Sequence, residues 1–136
     1  MFDIIFVVND NQYSLNAYKI FKEKYPLAKK AKTYAEAIKK SYTKAFWVVW
    51  SDLQINESFN FEYDLKSWDE EYVHVFLNDN TSSGICLIPK IAKVSEKEFS
   101  NRFFINKKEL EINASSSISQ YDIFQIDSYE EYQYAL

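Results

Sequence analysis

Phe2-Asp3-Ile4-Ile5-Phe6-Val7-Val8, followed at once by Asn9-Asp10-Asn11, decides the reading of this chain. A short, nearly unbroken apolar run closed by turn formers predicts a β-strand buried on both faces, which belongs in the middle of a parallel sheet. Downstream, Leu15, Tyr18, Phe21 and Tyr25 recur at close to helical spacing, and Pro26 marks the end of that helix. Ala28 to Thr33 predicts a short second strand. Thr33-Tyr34-Ala35-Glu36 has the capping-box pattern and predicts a helix from Tyr34 to about Tyr42. Ala45-Phe46-Trp47-Val48-Val49-Trp50 predicts a third strand, ending at Ser51-Asp52. The order strand, helix, strand, helix, strand implies parallel pairing through right-handed crossovers.

Beyond residue 55 the pattern changes. Tyr72 to Leu77 and Ile85 to Ile88 read as an antiparallel hairpin, with Asn78 to Gly84 as a long polar loop. Ser95-Glu96-Lys97-Glu98 is a second capping box and Ser128-Tyr129-Glu130-Glu131 a third, the latter leading a C-terminal helix. Phe103 to Ile105 and Tyr121 to Ile126 are further strand candidates, and Ser115-Ser116-Ser117 reads as a loop. The expectation is one three-layer α/β domain over residues 1–136, with a mixed, mostly parallel sheet. Residues 1–55 form its βαβαβ half, and residues 56–136 supply the hairpin and a strand–helix extension.

Composition removes several function classes. The chain of 136 residues holds one glycine, so no glycine-rich phosphate loop of the dinucleotide or Walker type exists. Sixteen basic residues against twenty acids give a net charge of −4, and Arg102 is the single arginine. That balance argues against nucleic acid as the main partner. Lys29, Lys30, Lys32, Lys39 and Lys40 form a local basic patch, read as a solvated helix face and strand edge. Cys86 is the only cysteine and sits in an apolar run, so it reads as a packing residue in a reducing compartment. No signal peptide or membrane span is visible, so a cytoplasmic location is expected, in the host cell if the gene is viral. Eleven Phe, eleven Tyr and three Trp imply a ring-rich core.

Ligands of parallel α/β sheets sit beyond the carboxyl ends of the strands. Asn9, Asp10 and Asn11 follow the first strand here, and Trp50, Ser51 and Asp52 close the third. Asp10 and Asp52 are therefore candidates for ribose hydroxyls or for a divalent cation, since oxygen ligands suit Mg²⁺ or Mn²⁺ on a diphosphate. The alternative is that both acids only terminate strands. Trp47 and Trp50 are three positions apart and should face opposite sides of the sheet. His74, the single histidine, lies mid-strand; it reads either as a packed residue or as a base lining the cleft.

Asp3 to Asp10 and Phe46 to Asp52 also carry a resemblance. Together with Trp68 to Phe76, Leu87 to Lys90, Arg102 to Glu109 and Tyr121 to Phe124, they resemble uncharacterised proteins of tailed marine phages. The first half is similar, in turn, to the nucleotide-binding half of GT-A glycosyltransferases. This resemblance implies a nucleotide-sugar ligand and an Asp-x-Asp motif holding Mn²⁺ or Mg²⁺. Trp50 stands where that motif has its first acid, leaving Asp52 as the implied metal ligand. The expectation is thus a degenerate glycosyltransferase-like domain, whether active or only binding. A protein of non-enzymatic role, associating with itself or another protein through aromatic surface, is the alternative.

Overall fold

The computed structural model describes residues 2–51, 53–55, 61, 73–78, 81–100, 116–120 and 123–125. Strand β1 (Asp3–Val7) is buried from Ile4 onward, as its apolar run requires. Asn11 then takes an extended backbone and opens helix α1 (Gln12–Lys24), its Oδ1 accepting from the Ser14 N–H at 2.8 Å. The side chain thereby satisfies one of the donors that a helix start leaves without an intrahelical partner. Ala17 and Phe21 turn inward, and the Phe21 ring lies 4.8 Å from that of Phe6. Strand β2 (Lys29–Ala31) and helix α2 (Tyr34–Lys40) follow. Thr33 caps α2 by accepting from the Glu36 N–H at 3.2 Å. Glu36 reaches back to the Lys32 N–H at 2.7 Å, one residue further than a standard capping box. The helix stops two residues earlier than the sequence suggests, because the Ser41 backbone swings to an extended conformation while its N–H still bonds the Ala37 and Ile38 carbonyls.

Strand β3 (Ala45–Trp50) is buried at every position. Strands β4 (Leu53–Ile55), β5 (Val73–Asn78) and β6 (Thr81–Pro89) come next, then helix α3 (Glu96–Ser100) and strands β7 (Ser116–Gln120) and β8 (Ile123–Gln125). The main sheet has the order β2-β1-β3-β6-β5-β7, and β4 pairs with β8 in a small antiparallel sheet. Strand β1 is parallel to both β2 and β3, β5 is parallel to β7, and β6 runs antiparallel to β3 and β5. Five strands of the main sheet therefore point one way and β6 points against them.

Alternation along the strands divides the core in two. Ile4, Phe6, Trp47 and Val49 pack on one face with Ala17 and Phe21 of α1. Ile5, Phe46, Val48 and Trp50 pack on the other with Ala37 of α2 and Phe99 of α3. The result is a three-layer, mixed α/β fold with a mostly parallel sheet. Trp47 and Trp50 face opposite sides, as their spacing requires.

Two expectations need correction. The polar stretch after β5 is not a long loop: pairing continues through Leu77↔Ser82 to Asn78↔Thr81, with a register irregularity between Phe76 and Leu77. The Ser115–Ser117 patch is not a loop throughout either, since Ser116 begins β7, whose register with β5 starts at Val73↔Ser116. In both places backbone pairing sustains a strand that hydrophobic alternation does not announce. The candidate strand at Phe103–Ile105 and the helix after Ser128 lie outside the described residues. No helix of the described residues is long and apolar enough to cross a membrane.

Candidate functional site at the strand ends

The site grows from the β1–β3 register. These parallel neighbours pair from Asp3↔Phe46 to Val7↔Trp50, so both strands end at the same level. From β1 the chain crosses to β2 through α1 on one face; from β2 it returns to β3 through α2 on the other. The strand order reverses between β1 and β3, because the chain steps outward from β1 to β2 and then back past β1 to β3, and the carboxyl ends at such a reversal are the usual ligand position in these sheets.

Asn9, Asp10 and Asn11 stand exposed at this level after β1, and Ser51 is half-buried after β3. Two of the three turn residues also hold the turn together. The Asn9 N–H donates to Ser14 Oγ at 2.8 Å, and Asn11 caps α1. Asp10 ion-pairs with Lys32, which follows β2. That hydrogen bond and the charge of Asp10 raise the Lys32 ammonium above its ordinary value, with a further contribution from the charge of Glu36. The carboxyl end of the sheet thus holds a carboxylate and an ammonium side by side. Sequence reasoning placed Lys32 in a solvated patch; its position directly after a parallel strand was the available signal.

Asp52 lies outside the described residues, and so does the metal expectation placed on it. Trp50 and His74 are not presented at an open rim. Trp50 is buried, with its ring 5.4 Å from that of Phe99 beneath α3, because a central strand covered on both sides sends every alternate residue into a core. His74 is 1% exposed, on an interior strand between β6 and β7. Its register partner is Leu87, which also pairs with Trp47, so His74 belongs to the row of residues facing α1.

The described residues do not fit a divalent cation. None of them gather three or more His, Cys, Asp or Glu side chains, and the Asp10 carboxylate already faces an ammonium. Cys86 is buried, and desolvation pushes its thiol well up, so it packs as a protonated group rather than serving as a nucleophile.

No protein-family model matches the sequence, and no curated protein matches it. The marine-phage resemblance therefore has no support from these comparisons. Among solved structures, the chain is similar to a glycosyltransferase involved in the glycosylation of the major capsid of PBCV-1. The identity is 10% and the TM-score 0.46, over 88% of this chain and 80% of that one.

Proposed function

We propose that this chain is a glycosyltransferase-like domain that binds a nucleotide-sugar, or a related nucleotide ligand, at the carboxyl ends of β1 and β3. The observation that supports the reading is the Val7↔Trp50 pairing, which brings the Asn9-Asp10-Asn11 turn alongside Ser51 at a reversal of strand order. In this reading Asp10 accepts hydrogen bonds from ribose hydroxyls, and Lys32 moves from Asp10 to the phosphates. Asn9, Asn11 and Ser51 supply polar groups at the rim. Asp52 is the residue at which Mn²⁺ or Mg²⁺ would enter the scheme, and no step is routed through a metal. No catalytic group is assigned.

Calorimetry with UDP-sugars, with and without Mn²⁺, tests the reading on the full chain. The expected result is saturable heat below millimolar ligand, weakened about tenfold or more in Asp10→Ala. The absence of heat at millimolar ligand removes it.

A second reading is self-association or binding of a protein through exposed aromatic and aliphatic side chains. Tyr13 and Ile20 support it: seven residues apart, they share one side of α1 and are both about half exposed. Light scattering decides this reading, and a monomer at all concentrations counts against self-association.

A further inference from the structure

The two parts of the chain carry opposite charge. Residues 1–51 hold nine basic and four acidic residues, a net of +5, while residues 52–136 net −9. The overall −4 conceals this asymmetry. Much of the positive charge gathers along β2, an edge strand of the described sheet. Lys29 and Lys30 stand on β2 itself, and Lys39 and Lys40 close α2 next to it. There the surface sinks into a depression of about 360 Å³ lined by Lys29, Glu36, Lys39, Lys40 and Tyr42.

Backbone carbonyls hold two of the three ammonium groups in place. Lys29 Nζ donates to the Lys40 carbonyl at 2.9 Å, and Lys40 Nζ donates to the Lys30 carbonyl at 2.6 Å. An ammonium has three donors, so one such bond fixes it and leaves N–H groups over. Lys29 also lies 4.4 Å from the centroid of the Tyr42 ring and 3.8 Å from Asp3 Oδ1. Asp3 is not among the lining residues; its other oxygen accepts from the Tyr42 N–H at 2.6 Å and from Ser41 Oγ at 3.4 Å. Glu36, the acid of the lining, is engaged with the Lys32 N–H. Three lysines and one glutamate leave the lining at +2.

Lysines in a last helical turn or on an edge strand have ordinary uses: they meet helix carbonyls and discourage strand addition. Those uses account for the backbone bonds of Lys29 and Lys40 and for the place of Lys39 in the last turn of α2. They do not account for a concavity walled by three lysines and by a ring as exposed as that of Tyr42, at 84%.

We propose that this depression binds a small phosphate monoester, with its phosphate among Lys29, Lys39 and Lys40 and its organic part against Tyr42. A monoester carries about −1.5 to −2 near neutral pH, which matches the lining. The volume falls at the small end of ligand pockets, roughly 300–1,000 Å³. Ammonium groups already fixed lose less freedom on binding. The site lies along the outer edge of β2, with Tyr42 beside Asp3 at the start of β1 and Glu36 toward Lys32; it uses neither Asp10 nor Lys32 and stands independently of the nucleotide reading.

Amide-detected NMR on the full chain, titrated with glucose 6-phosphate, glucose 6-sulfate and inorganic phosphate, tests it. The expected result is saturable shifts confined to Lys29 and to residues 39–42, with glucose 6-phosphate bound tighter than the other two. Lys39→Gln, which leaves the Lys29 and Lys40 backbone bonds intact, should weaken binding several-fold, and Lys39→Gln with Lys40→Gln about tenfold or more. Asp10→Asn should leave it unchanged. No shifts at about 10 mM ligand, a range in which even a weak site is read, would overturn the proposal. So would shifts centred on Asp10 and Lys32, or equal binding of the sulfate ester. Tighter binding of a single-stranded oligonucleotide, with shifts spreading to Lys22 and Lys30, would reassign the patch to nucleic acid.

Discussion

Trp47 shows how much a single residue carries in this core. Its side chain is fully buried, its ring meets that of Phe61 edge-on at 5.4 Å, and its Nε1–H donates to the Phe61 carbonyl at 2.9 Å. Trp47→Phe removes that donor and leaves a cavity, so it should lower stability by roughly 2–3 kcal/mol in urea unfolding. Tyr34 predicts the opposite response. Its hydroxyl is buried and has no hydrogen-bond partner among the described residues, so Tyr34→Phe should leave stability at pH 7 unchanged or raise it by up to about 1 kcal/mol. Burial, with the charges of Cys86 and Glu96 adding, pushes the Tyr34 phenol up to about 12. An unfolded tyrosine titrates near 10. Below that pH both states keep the proton and the contribution of Tyr34 is constant. As pH rises from about 10 toward 12 the unfolded chain loses its proton first, and stability falls. Urea midpoints at pH 9 and pH 11 should therefore differ less in Tyr34→Phe than in the parent. At this scale sequence identifies types better than positions. Asp10 stands where a strand-end acid should, but Trp50 and His74 carry chemistry only if exposed, and exposure depends on which strands flank them.

Between elements, one contact joins two short helices that are far apart in sequence. The Glu96 carboxylate of α3 accepts the N–H groups of Tyr34 and Ala35, at 3.0 and 2.9 Å, and so caps α2 from across the sheet face. Ser95 and Glu98 close α3 reciprocally, at 3.0 and 3.1 Å. Glu96→Ala should cost about 1 kcal/mol, as N-cap losses do, and Glu96→Gln less, both read from the urea midpoint. Asn11→Ala should cost a similar amount at α1, where the cap is local. The three N-terminal strands, both of their helices and the α3 start follow from period and capping residues that lie close together in sequence. The Glu96 cap does not, because its partners are 61 and 62 residues away. Nor does β7, whose Ser116-Ser117-Ile118-Ser119-Gln120 has no apolar alternation and is a strand because β5 offers it an edge. The extension of β6 into Thr81-Ser82-Ser83 fails to show in sequence for the same reason.

Across the whole molecule, charge and strand direction follow different divisions. The positive portion coincides with the βαβαβ segment, which the alternation of apolar runs reveals, whereas the placement of β6 could not be inferred from a hairpin pattern alone. A hairpin reading gives β5 beside β6; it does not say that β6 slides between β5 and β3. That insertion makes one nine-residue strand the hydrogen-bonded bridge between the β2-β1-β3 trio and the β5-β7 pair. Truncation after Ile55 would therefore uncover the flank of β3 from Ala45 to Val49, where it now meets Pro89 to Ile85. Such a naked apolar flank recruits other chains. The 1–55 fragment should precipitate or oligomerise in sedimentation, and a synthetic peptide of residues 81–89 supplied in trans should hold it in solution. Complementation of that kind would mean that the early half owes its solubility to a segment translated well after it, so the nascent chain must wait for residue 89 before its sheet is sealed.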